Sequence, residues 1–297
     1  MYKQEKPPRN TPGPCLAELC FRTPMILDAV RQEELLRVLN KTLGGSFGVV
    51  QHRTLGGGFT PGKKGASGAA LLCLPELLKA TEEGPAGFLL RFAPGQTGPE
   101  DAELRNSLSQ TWQWDGARES VLGAPFRVIL SETHTLHLEP RERVGLLQLA
   151  LQAATSLLLP AALHFPVSQC LIDPASYREN LPDSPDYLSV HGWVNNRIFT
   201  AEGEKGPVLM DTLGLHLLGL PDVQCPLPQG FPDYADLSFW LYNLAEYMCE
   251  HPGLPAEGDT LIGPDGSEWE VRSGPSLLPP ERLVLDLRMP APSGGRR

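Results

Sequence analysis

From Val144 to Ile172 the chain carries no Asp, Glu, Lys or Arg, and a run of that length either crosses a bilayer or lies deep in a globular core. A transmembrane helix takes about 20 consecutive apolar residues. Here Gln148, Gln152, Thr155 and Ser156 interrupt the apolar pattern, and Pro160 and Pro166 divide it. Proline removes a backbone donor and clashes with the preceding turn, so no helix continues through either position. The run therefore predicts a buried helix over 141–159, opened by Pro140 near its first turn, followed by a strand over 163–172. Burial of Leu147, Leu151 and Leu158 is the condition that separates this reading from a membrane-associated one.

The rest of the chain fits a mixed fold. Thirty glycines and thirty prolines among 297 residues imply many turns of fixed geometry, with strands and loops outweighing helix. At 41% hydrophobic and 20% charged residues the chain has enough apolar content to bury a substantial core. Strands are expected at 16–21, 47–52, 69–74, 88–92, 126–135, 187–200, 208–218, 267–272 and 283–289. Helices are expected after the N-cap candidate Asp28, with Leu35, Leu36, Leu39 and Leu43 as its stripe, and over 100–112. A third is expected over 236–251, where Leu237, Trp240, Leu241, Leu244 and Met248 share one face. The fold class is α+β, mainly antiparallel sheet with a few packed helices. One globular domain is expected over 15–289, divisible into α/β sub-domains 15–139 and 140–289, between disordered tails 1–14 and 290–297.

A formal net charge of -10 repels nucleic-acid phosphates and anionic membrane surfaces on average, and the one small basic candidate is Lys63-Lys64. The six cysteines, Cys15, Cys20, Cys73, Cys170, Cys225 and Cys249, show no C-x-x-C spacing. They read as free, buried thiols in a reducing compartment. Residues 1–14 lack the apolar core of a signal peptide. The expected location is the cytoplasm, with the nucleus as a second compartment.

Candidate chemistry is sparse. Gly57-Gly-Phe-Thr-Pro-Gly-Lys63 satisfies seven positions of a phosphate-binding loop, but Lys64 stands where the magnesium-binding hydroxyl belongs, and a strand-like run follows instead of a helix. Glu132, His134, His137 and Glu139 hold metal-ligating types, yet strand alternation puts the two histidines on opposite faces. The Asp-Thr pairs at Asp211 and Asp259 are followed by Leu213 and Leu261, where a proton-sharing aspartate pair needs glycine; such pairs more often stabilise turns. No G-x-S-x-G nucleophile elbow occurs. No cofactor is implied.

One set of residues carries a resemblance. In order, they are Val190-His-Gly-Trp-Val194, Thr212-Leu-Gly-Leu215, Gly219-Leu-Pro-Asp222, a helix over 236–251, Gly258-Asp-Thr260 and Pro275-Ser276. Over roughly 188–287 this pattern resembles the family known as domain of unknown function 4261. Leu213 between the threonine and glycine, and the proline-rich passage 226–232, depart from it. The resemblance implies an α+β arrangement of antiparallel sheet and packed helices, imports no catalytic set, and suggests an intracellular, non-enzymatic binding module whose partner is a protein. Candidate contact residues are Trp193, Asn195 and Asn196 on a strand-loop, with Phe239, Tyr242 and Tyr247 off the main helical stripe, because aromatic and amide side chains suit interaction surfaces. For each alone, core or edge packing is the commoner role. The alternative is a hydrolase or nucleotide-handling enzyme using the glycine loop 56–65 with Asp173, Asp211 or Asp259, which requires those groups to converge.

Overall fold

The computed structural model describes residues 15–25, 28–43, 51–52, 70–81, 84–98, 101–133, 138–181, 188–200, 208–228, 231, 233–251, 253 and 255–290. Its contacts divide the chain between Trp193 and Val194 into two compact units.

The N-terminal unit runs β1 (Leu16–Phe21), α1 (Ala29–Leu43), β2 (Gln51–His52), β3 (Ala70–Thr81), β4 (Gly84–Gln96), α2 (Ala102–Ser109), α3 (Ala117–Leu122), β5 (Phe126–Thr133), α4 (Pro140–Leu158), β6 (Ala162–Phe165), β7 (Cys170–Ile172) and α5 (Pro174–Glu179). Its strands form one antiparallel sheet in the order β2-β3-β4-β5-β1-β6-β7. The uncharged run supplies α4 and both strands after it. Glu139 and Glu142 form a capping box at the start of α4, Pro140 occupies its first turn, and Leu159 ends it in a left-handed conformation. Leu147, Leu151 and Leu158 are buried, which removes the membrane-associated reading. Among the described residues no helix is long and apolar enough to cross a membrane.

Two predictions in this unit are corrected. The single strand over 163–172 is a hairpin, because Gln169 takes positive φ and donates its backbone N–H to the Pro166 carbonyl at 3.2 Å. The helix over 100–112 is α2 followed by the separate α3; Asp101 caps α2 by accepting from Leu104 N. Strand alternation gives β1 two covered faces. Cys20 joins a core with Leu104, Val121 and Ala124 beneath α2 and α3, while α4 also packs against β1 and β5.

The C-terminal unit runs β8 (Asn195–Thr200), β9 (Val208–Leu213), a 3-10 turn at Leu215–Leu218, β10 (Asp222–Leu227), α6 (Tyr234–Glu250), β11 (Thr260–Ile262), β12 (Glu268–Pro275) and β13 (Leu283–Arg288). The sheet order is β11-β12-β13-β10-β9-β8, antiparallel except for the parallel pair β10–β13. The strand predicted over 208–218 stops at Leu213, because Gly214 adopts a φ of 137° that extended backbone does not use and the chain enters the 3-10 turn. β10 is a strand absent from the expected set, and Pro226, the first residue of the proline-rich passage, pairs with Leu209 within its ladder. Asp233 caps α6 by accepting from Ala235 N and Asp236 N. Leu237, Leu241, Leu244 and Met248 are buried, at roughly 1.5–3 kcal/mol of favourable transfer each. Trp240 packs on Trp269 with centroids 5.7 Å apart.

Candidate functional site

The carboxylates of the enzyme reading serve three separate structural roles. Asp173 caps α5, accepting from Ala175 N and Ser176 N at 3.0 and 2.9 Å. Asp259 accepts from Ala256 N at 2.7 Å and closes a turn. Asp211 is buried on β9. The glycine loop 56–65, with Lys63 and Lys64, lies outside the described residues, as do His134 and His137.

Around Asp211 the C-terminal unit builds a connected ionic lattice. Arg197 on β8 grips Asp211 with two parallel bonds, Nε to Oδ1 at 2.9 Å and Nη2 to Oδ2 at 2.5 Å. Arg282 then bridges two aspartates, donating Nη2 to Asp211 Oδ2 at 2.7 Å and Nε to Asp222 Oδ2 at 2.8 Å. The lattice continues outward to His216, whose Nδ1 lies 3.0 Å from Asp222 Oδ2. Thr212 Oγ1 donates to Asp222 Oδ1 at 3.2 Å and accepts from Val223 N at 2.8 Å, and Leu215 N donates to Asp222 Oδ1 at 2.9 Å. The same guanidiniums hold the loop before β13: Arg197 donates to Pro279 O at 3.0 Å, and Arg282 to Pro280 O at 2.9 Å and Leu278 O at 3.2 Å. Two buried cations thus face two buried anions, and the polar valences left over are spent on backbone. Both oxygens of Asp211 are taken by guanidiniums that also hold the loop before β13, so the Asp-Thr-Leu-Gly segment organises loops.

The N-terminal unit carries two shorter relays. Arg143 on α4 binds Glu132 on β5 with both arms of its guanidinium, Nε to Oε2 at 3.0 Å and Nη2 to Oε1, and Glu132 also accepts from Cys15 N at 3.2 Å. Glu132 is therefore committed to Arg143 and to the Cys15 backbone. The other relay links Ser107 on α2, His164 on β6 and Glu18 on β1: Ser107 Oγ lies 2.9 Å from His164 Nε2, and His164 Nδ1 lies 2.9 Å from Glu18 Oε2. Arg127 Nε stands 3.3 Å from the same carboxylate oxygen, an ion pair without hydrogen-bond alignment. This is the connectivity of a nucleophile–base–acid triad. Its nucleophile fails the test of access, because Ser107 has 0% exposure and its hydroxyl also lies 3.0 Å from the Glu103 carbonyl one helical turn back. The relay ties α2 to the sheet. Three thiols are equally closed to chemistry, since burial pushes Cys15, Cys20 and Cys170 up to about 12.

The predicted contact residues separate into two groups. Trp193, Asn195 and Asn196 are buried, which corrects their expected exposure. Trp193 packs edge-on against Phe165 at 5.0 Å, and Asn196 donates Nδ2 to Ser238 O and Oγ at 2.7 and 2.9 Å, tying β8 to α6. Gly192 explains the tight turn there: its φ is 87°, and an added Cβ would sit 2.5 Å from the Phe165 ring. The α6 aromatics divide by depth. Tyr242 is half-buried, Phe239 is 70% exposed, and Tyr247 is 43% exposed and stacks on His251 at 4.4 Å.

Sequence reasoning missed Arg197, Asp222, Arg282 and the Ser107–His164–Glu18 relay. Only Glu18 and His164 left a trace, a charged or imidazole side chain between apolar neighbours within a strand, where burial demands a partner; Arg282 lies in a loop, Ser107 on a helix, Arg197 beside two asparagines and Asp222 at a strand end. No curated protein and no solved structure matches the chain. Residues 211–288, which hold Asp211, Asp222 and Arg282 but not Arg197, match the family described as domain of unknown function DUF4261.

Proposed function

We propose that the protein is a non-enzymatic, intracellular protein-interaction module that engages its partner through the outer face of α6. The observation that carries this reading is the 70% exposure of Phe239 beside the 43% exposure of Tyr247 on a helix whose opposite face is buried. A solvated Phe costs the isolated protein hydrophobic free energy that docking recovers. Chemistry-bearing groups, by contrast, are turned inward: Ser107, His164, Glu132, Asp211 and Asp222 are all buried. The alternative, a hydrolase or nucleotide-handling enzyme, loses support because Asp173, Asp211 and Asp259 are each engaged in separate structural bonds.

A photo-crosslinking amino acid at position 239 tests this in cells, with the same group at the exposed Arg272 position as a control. A discrete crosslinked protein from position 239, absent from position 272 and competed away by unlabelled wild-type chain, is the expected result. Identical, diffuse crosslinking from both positions would sink the idea.

A further inference from the structure

Within α6 the exposed residues are Ala235, Asp236, Phe239, Asn243, Glu246, Tyr247 and Glu250. From 236 onward they recur every three or four residues and form one stripe. Phe239 and Tyr247 stand eight residues apart, about 12 Å along the axis. The helix has Asp236, Glu246 and Glu250 and no Lys or Arg. Glu250 lies in the last turn and Glu246 just before it, at the end of the helix where the dipole is negative and cations are favoured, and at i, i+4 they repel each other. Although Glu246 is exposed, partial desolvation by its neighbours and then the Glu250 charge raise its carboxyl above the ordinary range. An opposite charge brought from outside relieves this repulsion.

We infer that the α6 face receives a cationic segment of a partner protein, with an apolar or aromatic anchor seated between Phe239 and Tyr247 and flanking Lys or Arg side chains meeting Asp236, Glu246 and Glu250. This rests on the interaction reading above and adds the partner's chemistry. Charge complementarity selects the occupant: an acidic or neutral helix leaves the Glu246–Glu250 repulsion in place, whereas a guanidinium pairs with both carboxylates and can lie over the Tyr247 ring.

The test uses the full chain and two labelled synthetic peptides that share a Trp–Leu anchor, one flanked by Lys and Arg and the other by Gln in the same positions. Fluorescence anisotropy should show the cationic peptide binding about tenfold more tightly, with that margin collapsing as salt rises beyond the screening range. Phe239→Ala should abolish binding of both. Glu246→Gln with Glu250→Gln should reduce the cationic peptide to the neutral level while raising the melting temperature slightly, a pairing of effects that general damage to the fold does not produce. Equal affinity for the two peptides overturns the charge inference and leaves the interaction reading intact. Peptide affinities indifferent to Phe239→Ala, together with only diffuse crosslinking from position 239, overturn the interaction reading itself. A wild-type chain that sediments as a dimer while Phe239→Ala sediments as a monomer overturns the inference by making a second copy the occupant.

Discussion

The two units bury charge in opposite styles. The N-terminal unit uses separate short relays, Arg143 with Glu132 and Ser107–His164–Glu18 with Arg127, each pinning one helix to the central strands. In the C-terminal unit one lattice runs from Arg197 through Asp211, Arg282 and Asp222 to His216, and it pins loops to strand ends. Separate relays fail one at a time, because each cation serves one carboxylate. In the lattice Arg282 serves two, so its loss disturbs residues on β9, on β10 and in the loop before β13 together.

Arg282→Met should be the most damaging single change, at about 3–5 kcal/mol, since removing one partner of a buried ionic group leaves the others uncompensated. Hydrogen exchange read peptide by peptide should show lost protection across 208–228 and 276–288 with the N-terminal unit unchanged. A loss confined to the loop would show that the lattice is a set of independent pairs. Arg143→Met comes next at about 3 kcal/mol, the lower end for a broken buried pair, with exchange rising in α4 and β5. Adding Glu132→Met should restore part of that loss, because replacing both members by apolar groups removes the stranded charge. If the double variant is no better than the single one, Glu132 is held by more than Arg143.

The difference between the units also governs what could be read from sequence. Apolar periodicity placed α4, α6 and the central strands closely, because burial of Leu147 and Leu151 or of Leu237 and Leu241 follows from local pattern. The uncharged run named the core helix for the same reason. The candidate site was far less legible. Asp211 and Arg282 are 71 residues apart in sequence, and pairing at that distance has no local signature. Trp193, Asn195 and Asn196 appeared suited to a surface by residue type, but Asn196 meets Ser238 across 42 residues and is buried. Helical spacing placed Phe239 and Tyr247 on the exposed side, outside the stripe of Leu237, Trp240, Leu241, Leu244 and Met248, whereas Tyr242 is half-buried.

Acid should weaken the N-terminal unit through His191. Burial holds this imidazole down at about 4 against an ordinary 6.5, so between those values the unfolded chain binds a proton that the folded chain refuses. Stability is therefore full above pH 6.5 and falls as pH drops toward 4, by on the order of 2–3 kcal/mol. His191→Phe, which keeps a ring to stack on Tyr177, should flatten the profile between pH 6.5 and 4 in the N-terminal unit and leave the C-terminal unit's profile untouched. An NMR titration of His191 with a midpoint near 6.5 would remove the basis for this expectation.

Ser107→Ala is the mildest change and the sharpest test of what the triad-like relay does. The hydroxyl removed is neutral and lies on a helix that keeps its backbone bonds, so the loss should be about 1 kcal/mol, the net worth of one buried hydrogen bond. His164 retains Glu18 at 2.9 Å, and α2 retains Leu104 in the core; the exchange of α2 should rise while that of β1 and β6 stays fixed. A relay built for catalysis predicts something else. Its serine would react with a fluorophosphonate probe in the native protein, and Ser107→Ala would eliminate that label with no cost in stability. Because Ser107 is fully buried, the native chain should take up no probe at this position, and labelling there would move the N-terminal unit from a scaffold to an enzyme.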